Sequence, residues 1–144
     1  MSDAGADPTT DPRELLGEWE FDRVVDDHLA DERIGVVGTA EFTLEDDGAV
    51  RWAEQGTMTR AGAEIPISRV LFLRERDEGW VVTFDDGRDF HPWQPGAQVE
   101  HPCGRDTYRG FVQFAGPQEW SVRWHATGPE KDYEMLTRLH LRPS

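Results

Sequence analysis

The chain contains no asparagine, and Lys131 is its only lysine beside 14 arginines. Basic residues are scarce altogether, 15 against 29 acidic, giving a formal net charge of −14. Such a field repels phosphate backbones and anionic lipid surfaces, so neither nucleic acid nor a membrane surface is an expected partner. Cys103 is the single cysteine, so no internal disulfide can form, which fits a reducing, cytoplasmic setting. No apolar run approaches the roughly 20 residues of a membrane-spanning helix. The opening MSDAGADPTTDP has no basic start and no apolar run, and does not read as a secretory signal. Phosphate loops, dinucleotide fingerprints and a Ser–His–Asp order are missing too, which disfavours nucleotide chemistry. A lone lysine among so many arginines marks a place where a compact ammonium is wanted in preference to a planar guanidinium.

What is present points to one β domain. At 144 residues with 37% hydrophobic content, six Trp and seven Phe, the chain is long enough to bury a core without staples. Residues 1–10 hold too little apolar surface to order themselves and are expected to form a disordered acidic tail. Residues 11–144 are expected to form a single β-barrel domain. Asp11-Pro12-Arg13-Glu14 gives a helix start, Asp11 capping and Pro12 at the first position, with Gly17 ending the turn. From Glu18 the hydrophobic period becomes two. Trp19, Phe21, Arg23 and Val25 share one face; Ala40, Phe42 and Leu44 follow inward, then Val50, Trp52 and Glu54. Residues 26–35 read as an acidic loop. Turn signals at Asp46-Asp47-Gly48, Gly62, Glu78-Gly79, Asp86-Gly87, Gly116-Pro117 and Gly128-Pro129 punctuate the rest every 8–12 residues or so. The expectation is an all-β, antiparallel up-and-down barrel of about nine or ten strands with a short N-terminal helix, its interior unusually aromatic.

The opening Leu16-Gly17-Glu18-Trp19, a turn leading into a Gly-x-Trp strand, resembles the start of calycins, the superfamily of lipocalins and fatty-acid-binding proteins. That resemblance implies a Trp packed at the closed end under a basic residue of the last strand, Arg138 or Arg142 here. The succession GEWEFDR, GTAEF, AEQG, FDDGRDFH, EHPCGRDTYRG and WHATGPEKDYEMLTR is similar, from Leu15 on, to the family catalogued as domain of unknown function 6314. That label implies no reaction, so residue roles follow from chemistry.

Charges on apolar faces are the first signal. Arg23 and Glu54 continue inward-facing rows, and a buried ion costs several kcal/mol unless paired, so they form a mutual salt bridge or meet a polar ligand. The segment Phe84–Phe114 concentrates the second. Arg88 shares parity with Phe90 and is expected inward as an anion handle, with His91 close by. His101, Asp106 and Tyr108 supply imidazole, carboxylate and phenol, enough for proton transfer without a cofactor. His101 and Cys103 have metal-ligand chemistry, but on a strand they stand some 7 Å apart, too far for one ion unless Pro102 bends the chain. Cys103 is better read as a small buried hydrophobe. Lys131 and Tyr133 fall on one face opposite Trp124, the lysine placed to pair a ligand carboxylate or, if desolvated, to act as a base.

The reading is a small-molecule-binding barrel acting on a small polar or anionic ligand by cofactor-free acid–base chemistry, of isomerase, cyclase or lyase type. His101, Asp106 and Tyr108 are the catalytic candidates. Arg23, Glu54, Arg88, His91, Trp124, Lys131 and Tyr133 are the substrate-binding ones, with no metal and no cofactor. The alternatives are a non-catalytic carrier or sensor, and a haem- or metal-binding barrel using His91 or His101.

Overall fold

The computed structural model describes residues 11–143; the expected acidic tail, residues 1–10, lies outside them. A 3-10 turn, Pro12–Leu15, is followed by ten strands. These are β1 (Gly17–Asp27), β2 (Glu32–Leu44), β3 (Val50–Arg60), β4 (Ala63–Arg76) and β5 (Gly79–Phe84). They continue with β6 (Asp89–Pro92), β7 (Gln98–Cys103), β8 (Asp106–Gly116), β9 (Glu119–Gly128) and β10 (Lys131–Leu141). All belong to one sheet, in the order β6-β5-β4-β3-β2-β1-β10-β9-β8-β7. Each strand in that order pairs antiparallel with the next, and the first and last in the chain, β1 and β10, pair with each other, Trp19 opposite Leu141. This is an up-and-down barrel. Among the described residues no ladder joins β6 to β7. Across that seam runs the link 93–97, whose Trp93 N–H donates to the Trp80 carbonyl and Gly96 N–H to the Val112 carbonyl.

The alternation of the sequence becomes the barrel wall. Trp19, Phe21 and Arg23 are buried along β1, as are Ala40 and Phe42 on β2 and Val50, Trp52 and Glu54 on β3. At the end plugged by the 3-10 turn, Leu15 is buried and its carbonyl accepts from Trp19 Nε1 at 2.9 Å. Asp11 caps the turn, its carboxylate accepting from Arg13 N–H at 2.9 Å. Trp120 stands at the centre of the packed end, with the rings of Trp19, Phe42, Trp52, Trp93 and Phe114 around it. Each such ring removes about 150–250 Å² from water, so truncating one to alanine costs about 3–5 kcal/mol.

Two inward glycines let the wall bend. Gly38 and Gly56 face each other across β2 and β3, and a Cβ on Gly38 would meet the Gln55 carbonyl oxygen and the Gly56 backbone. Glycine inside a strand marks such a close approach or tight corner.

Several expectations need correction. Residues 26–35 are not a loop: β1 and β2 pair as far as Asp27 and Glu32, leaving only a tight turn. Leu44 ends its strand exposed. Neither last-strand arginine lies beneath Trp19. Arg142 pairs outside with Glu18 and Glu20, and Arg138 lies in a surface groove with Asp22, Asp26 and Arg123. The Trp19 ring meets Phe42 and Trp120 instead.

Candidate functional site

Above the packed aromatic end the barrel holds a cavity of about 290 Å³. Its walls include Trp52, Phe84, Phe90, Trp93, Trp124, Tyr108 and Tyr133, and its polar groups are Arg23, Arg69, His91 and Thr137.

The polar floor is an ion cluster. Arg23 on β1 and Glu54 on β3 are 7% and 1% exposed and meet at 2.8 Å, the first of the two outcomes their parity left open. Arg23 Nε also donates to Thr137 Oγ1 at 2.7 Å. Arg69 on β4 grips the same carboxylate with Nε and Nη2, each at 3.2 Å, and Trp52 Nε1 donates to Glu54 Oε2 at 3.2 Å. Four N–H donors thus converge on the carboxylate, three on Oε2 and one on Oε1. Burial pushes its carboxyl up, but Arg69 and Arg23 outweigh burial and hold it below the ordinary range. Burial in turn pulls the Arg23 guanidinium down, against the attraction of Glu54.

A bulge builds the opposite wall. On β6 the register to β5 shifts between Val82, opposite His91, and Thr83, opposite Asp89. Phe90 is the extra residue, so Phe90 and His91 both line the cavity although they are sequence neighbours. Phe90 stacks between Phe84, centroids 4.7 Å apart, and Trp124, 5.2 Å apart. Trp124 lies flat because its cross-strand partner is Gly110, where a Cβ would come within 2.7 Å of the ring. The expectation for Arg88 fails for another reason. Arg88 precedes β6, in the turn closed by the Gly87 N–H on the Phe84 carbonyl, its side chain 74% exposed and paired to Asp86 at 2.7 Å.

His91 is 6% exposed, and its Nδ1 lies 2.9 Å from the Pro92 carbonyl oxygen. A carbonyl only accepts, so Nδ1 carries the proton and Nε2 is left as an acceptor. Burial lowers the imidazole pKa to about 4. The neutral form is thus favoured by folding, while the unfolded chain takes up a proton near the ordinary histidine value of about 6.5. Stability is therefore fully present above about pH 6.5 and falls as pH drops toward 4, by roughly 3 kcal/mol in all. Glu54 adds its own loss only below the ordinary carboxylate range. Urea unfolding between pH 4 and 7 is expected to show this slope, and His91→Phe to flatten it. An unchanged slope in that variant would assign the dependence elsewhere.

The remaining candidates gather at the rim, and not as expected. Tyr108 lines the cavity; His101, Asp106 and Lys131 do not. Lys131 Nζ donates to the Tyr108 hydroxyl at 2.8 Å and pairs with Asp106 at 3.2 Å. Those hydrogen bonds, to Tyr108 first and then Asp106, raise the ammonium pKa, and the side chain is 43% exposed, so the desolvation on which a base or Schiff-base role depended is not met. Asp106 is pressed against Gly128, whose missing side chain makes room for the carboxylate. Tyr133 lines the cavity, its phenol pKa raised by burial and by Tyr108 beside it. His101, opposite Tyr108, presents its ring to Phe90 at 5.8 Å across the seam. Cys103 is exposed, not buried, because it begins the β7–β8 turn. Among the described residues no group of three or more His, Cys, Asp or Glu side chains is arranged to hold a metal.

Arg69 and Trp93 were missed. Arg69 had a signal, because it stands between Ile67 and Leu71 in an alternating row. Trp93 had none, lying in a stretch broken by Pro92 and Pro95.

The sequence profile of a family of unknown function, DUF6314, matches residues 15–141. The chain belongs to that family. No curated protein matches it. Among solved structures, the S-type phycobiliprotein lyase CPES from Guillardia theta is similar, with a TM-score of 0.66 and 14% identity over 92% of this chain and 90% of that one. A barrel named EF1p2_mFAP2b, bound to DFHBI, gives 0.52 and 11% over 93% and 98%. A fluorescence-activating β-barrel designed de novo gives 0.50 and 14% over 99% and 100%. At these identities the likeness of the DUF6314 chain to all three is one of fold.

Proposed function

We propose that this protein is a small-molecule-binding barrel that encloses a flat, mostly apolar guest. The observation that carries the reading is the cavity itself, about 290 Å³ walled by rings with a few convergent polar groups. That is the low end of the roughly 300–1,000 Å³ typical of ligand pockets, so the guest is mono- or bicyclic. Two of the solved barrels of similar fold are described by their ligand or its fluorescence, which makes DFHBI a reasonable first probe.

Titration with DFHBI or a comparable aromatic dye is expected to be saturable and one-to-one, with Kd at or below about 10 µM. It should quench tryptophan fluorescence, since Trp52, Trp93 and Trp124 line the cavity. Val122→Trp, which fills the space from β9, is expected to abolish binding. Dye uptake that never saturates, or that survives the filled cavity, would sink the reading.

Cofactor-free proton transfer is the second reading, favoured by the Tyr108–Lys131–Asp106 network at the cavity rim. In it Tyr108 donates the proton and Asp106 and Lys131 position it, while His91 is the one imidazole on the cavity. A pKa of about 4 makes His91 a weak base at neutral pH, far from the value that general catalysis favours. Binding is therefore the preferred function. Deuterium appearing from solvent in a bound guest, and lost with Tyr108→Phe at unchanged affinity, would reverse that order.

A further inference from the structure

Resting on the binding reading, we propose that the guest is an aromatic acid that also carries a hydrogen-bond donor, its anionic end toward Arg69 and Arg23 and a hydroxyl or N–H toward His91 Nε2.

The charge follows from counting. Arg23 and Arg69 share one carboxylate, Glu54, so two positive charges against one negative leave a net charge of one. Among the described residues the cavity surface carries both guanidiniums and no acidic side chain, because Glu54 sits behind them. Glu54 already accepts four hydrogen bonds. The arginines spend Nε and Nη2 in these contacts with Glu54 and Thr137, so neither Nη1 group takes part. A carboxylate placed against them gains charge-assisted hydrogen bonds in a water-poor site. A phosphate monoester would bring about two negative charges against that single surplus positive one. Arg69, with 36% of its side chain exposed, is the accessible arm, whereas Arg23 is nearly enclosed. The acidic exterior of the protein does not oppose this, since surface charge beyond roughly 8 Å is screened at physiological salt.

The second group follows from the tautomer. The Pro92 carbonyl fixes the proton on Nδ1, leaving Nε2 able only to accept. A guest without a donor would desolvate that nitrogen and leave it unpaired, a cost that a hydroxyl or N–H removes. The body between the two ends is flat because the walls are, with Phe84, Phe90 and Trp124 stacked in one pile.

The test is calorimetric titration of the full chain with four naphthalenes: 6-hydroxy-2-naphthoate, 6-methoxy-2-naphthoate, 2-naphthoate and 2-naphthol. The hydroxy acid is expected to bind tightest, about tenfold above 2-naphthol for want of the anion and several-fold above the methoxy acid for want of the donor. Arg69→Met should bring the affinities for 2-naphthoate and 2-naphthol together, and His91→Phe should erase the gap between hydroxy and methoxy acids. The wild-type series decides on its own if a variant folds poorly. Equal binding of all four, or a preference for 2-naphthol, overturns the assignment of the guest while the binding reading stands. Failure of all four, with dyes also failing, overturns both.

Discussion

Glu54→Gln is expected to destabilise the protein by about 3–5 kcal/mol, the cost of removing one partner from a buried ion cluster. The carboxylate is 1% exposed and holds Arg23, Arg69 and Trp52 Nε1 together. An amide of the same shape would leave two guanidiniums facing each other with no anion between them. Against a total stability of roughly 5–15 kcal/mol for a domain, that loss is large enough to read directly in a urea midpoint. Arg69→Met is expected to cost far less, about 1 kcal/mol or below, because Arg69 is partly solvated and a balanced Arg23–Glu54 pair remains. A Glu54→Gln protein unfolding within about 1 kcal/mol of the original, by the same buried-pair standard, would show that the cluster contributes little to the fold.

The second large effect is steric. Gly38→Ala is expected to cost about 3 kcal/mol or more, at the upper end for overpacking, because the added methyl meets backbone on the facing strand. A side chain could turn away; a carbonyl held in a ladder cannot. Gly56→Ala should behave alike, its Cβ directed at the Val37 carbonyl. Gly35, three residues away on the same strand as Gly38, has nothing within 4 Å of its Cβ position. Gly35→Ala is therefore expected to be neutral, or to stabilise by about 0.5 kcal/mol by restricting the unfolded chain. Thermal melts of the three variants side by side test this, and equal melting temperatures would refute the close approach of β2 and β3.

Most of the architecture was legible because strands repeat every two residues and the turns carry Gly, Asp and Pro. The same parity put Arg23, Glu54, Trp124, Tyr108 and Tyr133 inside, and the alternating row of β4 carries Arg69 inward by the same rule. Parity failed where the period itself breaks. The bulge at Phe90 turns one phase into another, bringing His91 in beside Phe90, and Arg88 stays out because it lies in the turn before its strand begins. Parity also gives the face of a residue but not its depth. Asp106 and Lys131 share rows with Tyr108 and Tyr133, yet they sit at strand ends, beyond the cavity. The link 93–97 has no period at all, so Trp93 was invisible until the chain folded across the seam.

That seam makes the wall a hoop cut at one point. Its girth can widen by hinging there, and no hydrogen bond between neighbouring strands need break. What resists is ring packing across the cut, Phe90 against His101 and Trp124, His91 against Trp124 and Trp93 against Phe114, together with the two amide bonds of the link, from Trp93 and Gly96. For the guest proposed above, the upper limit on size is thus set by side-chain packing at the cut, and variation in these rings would retune what fits.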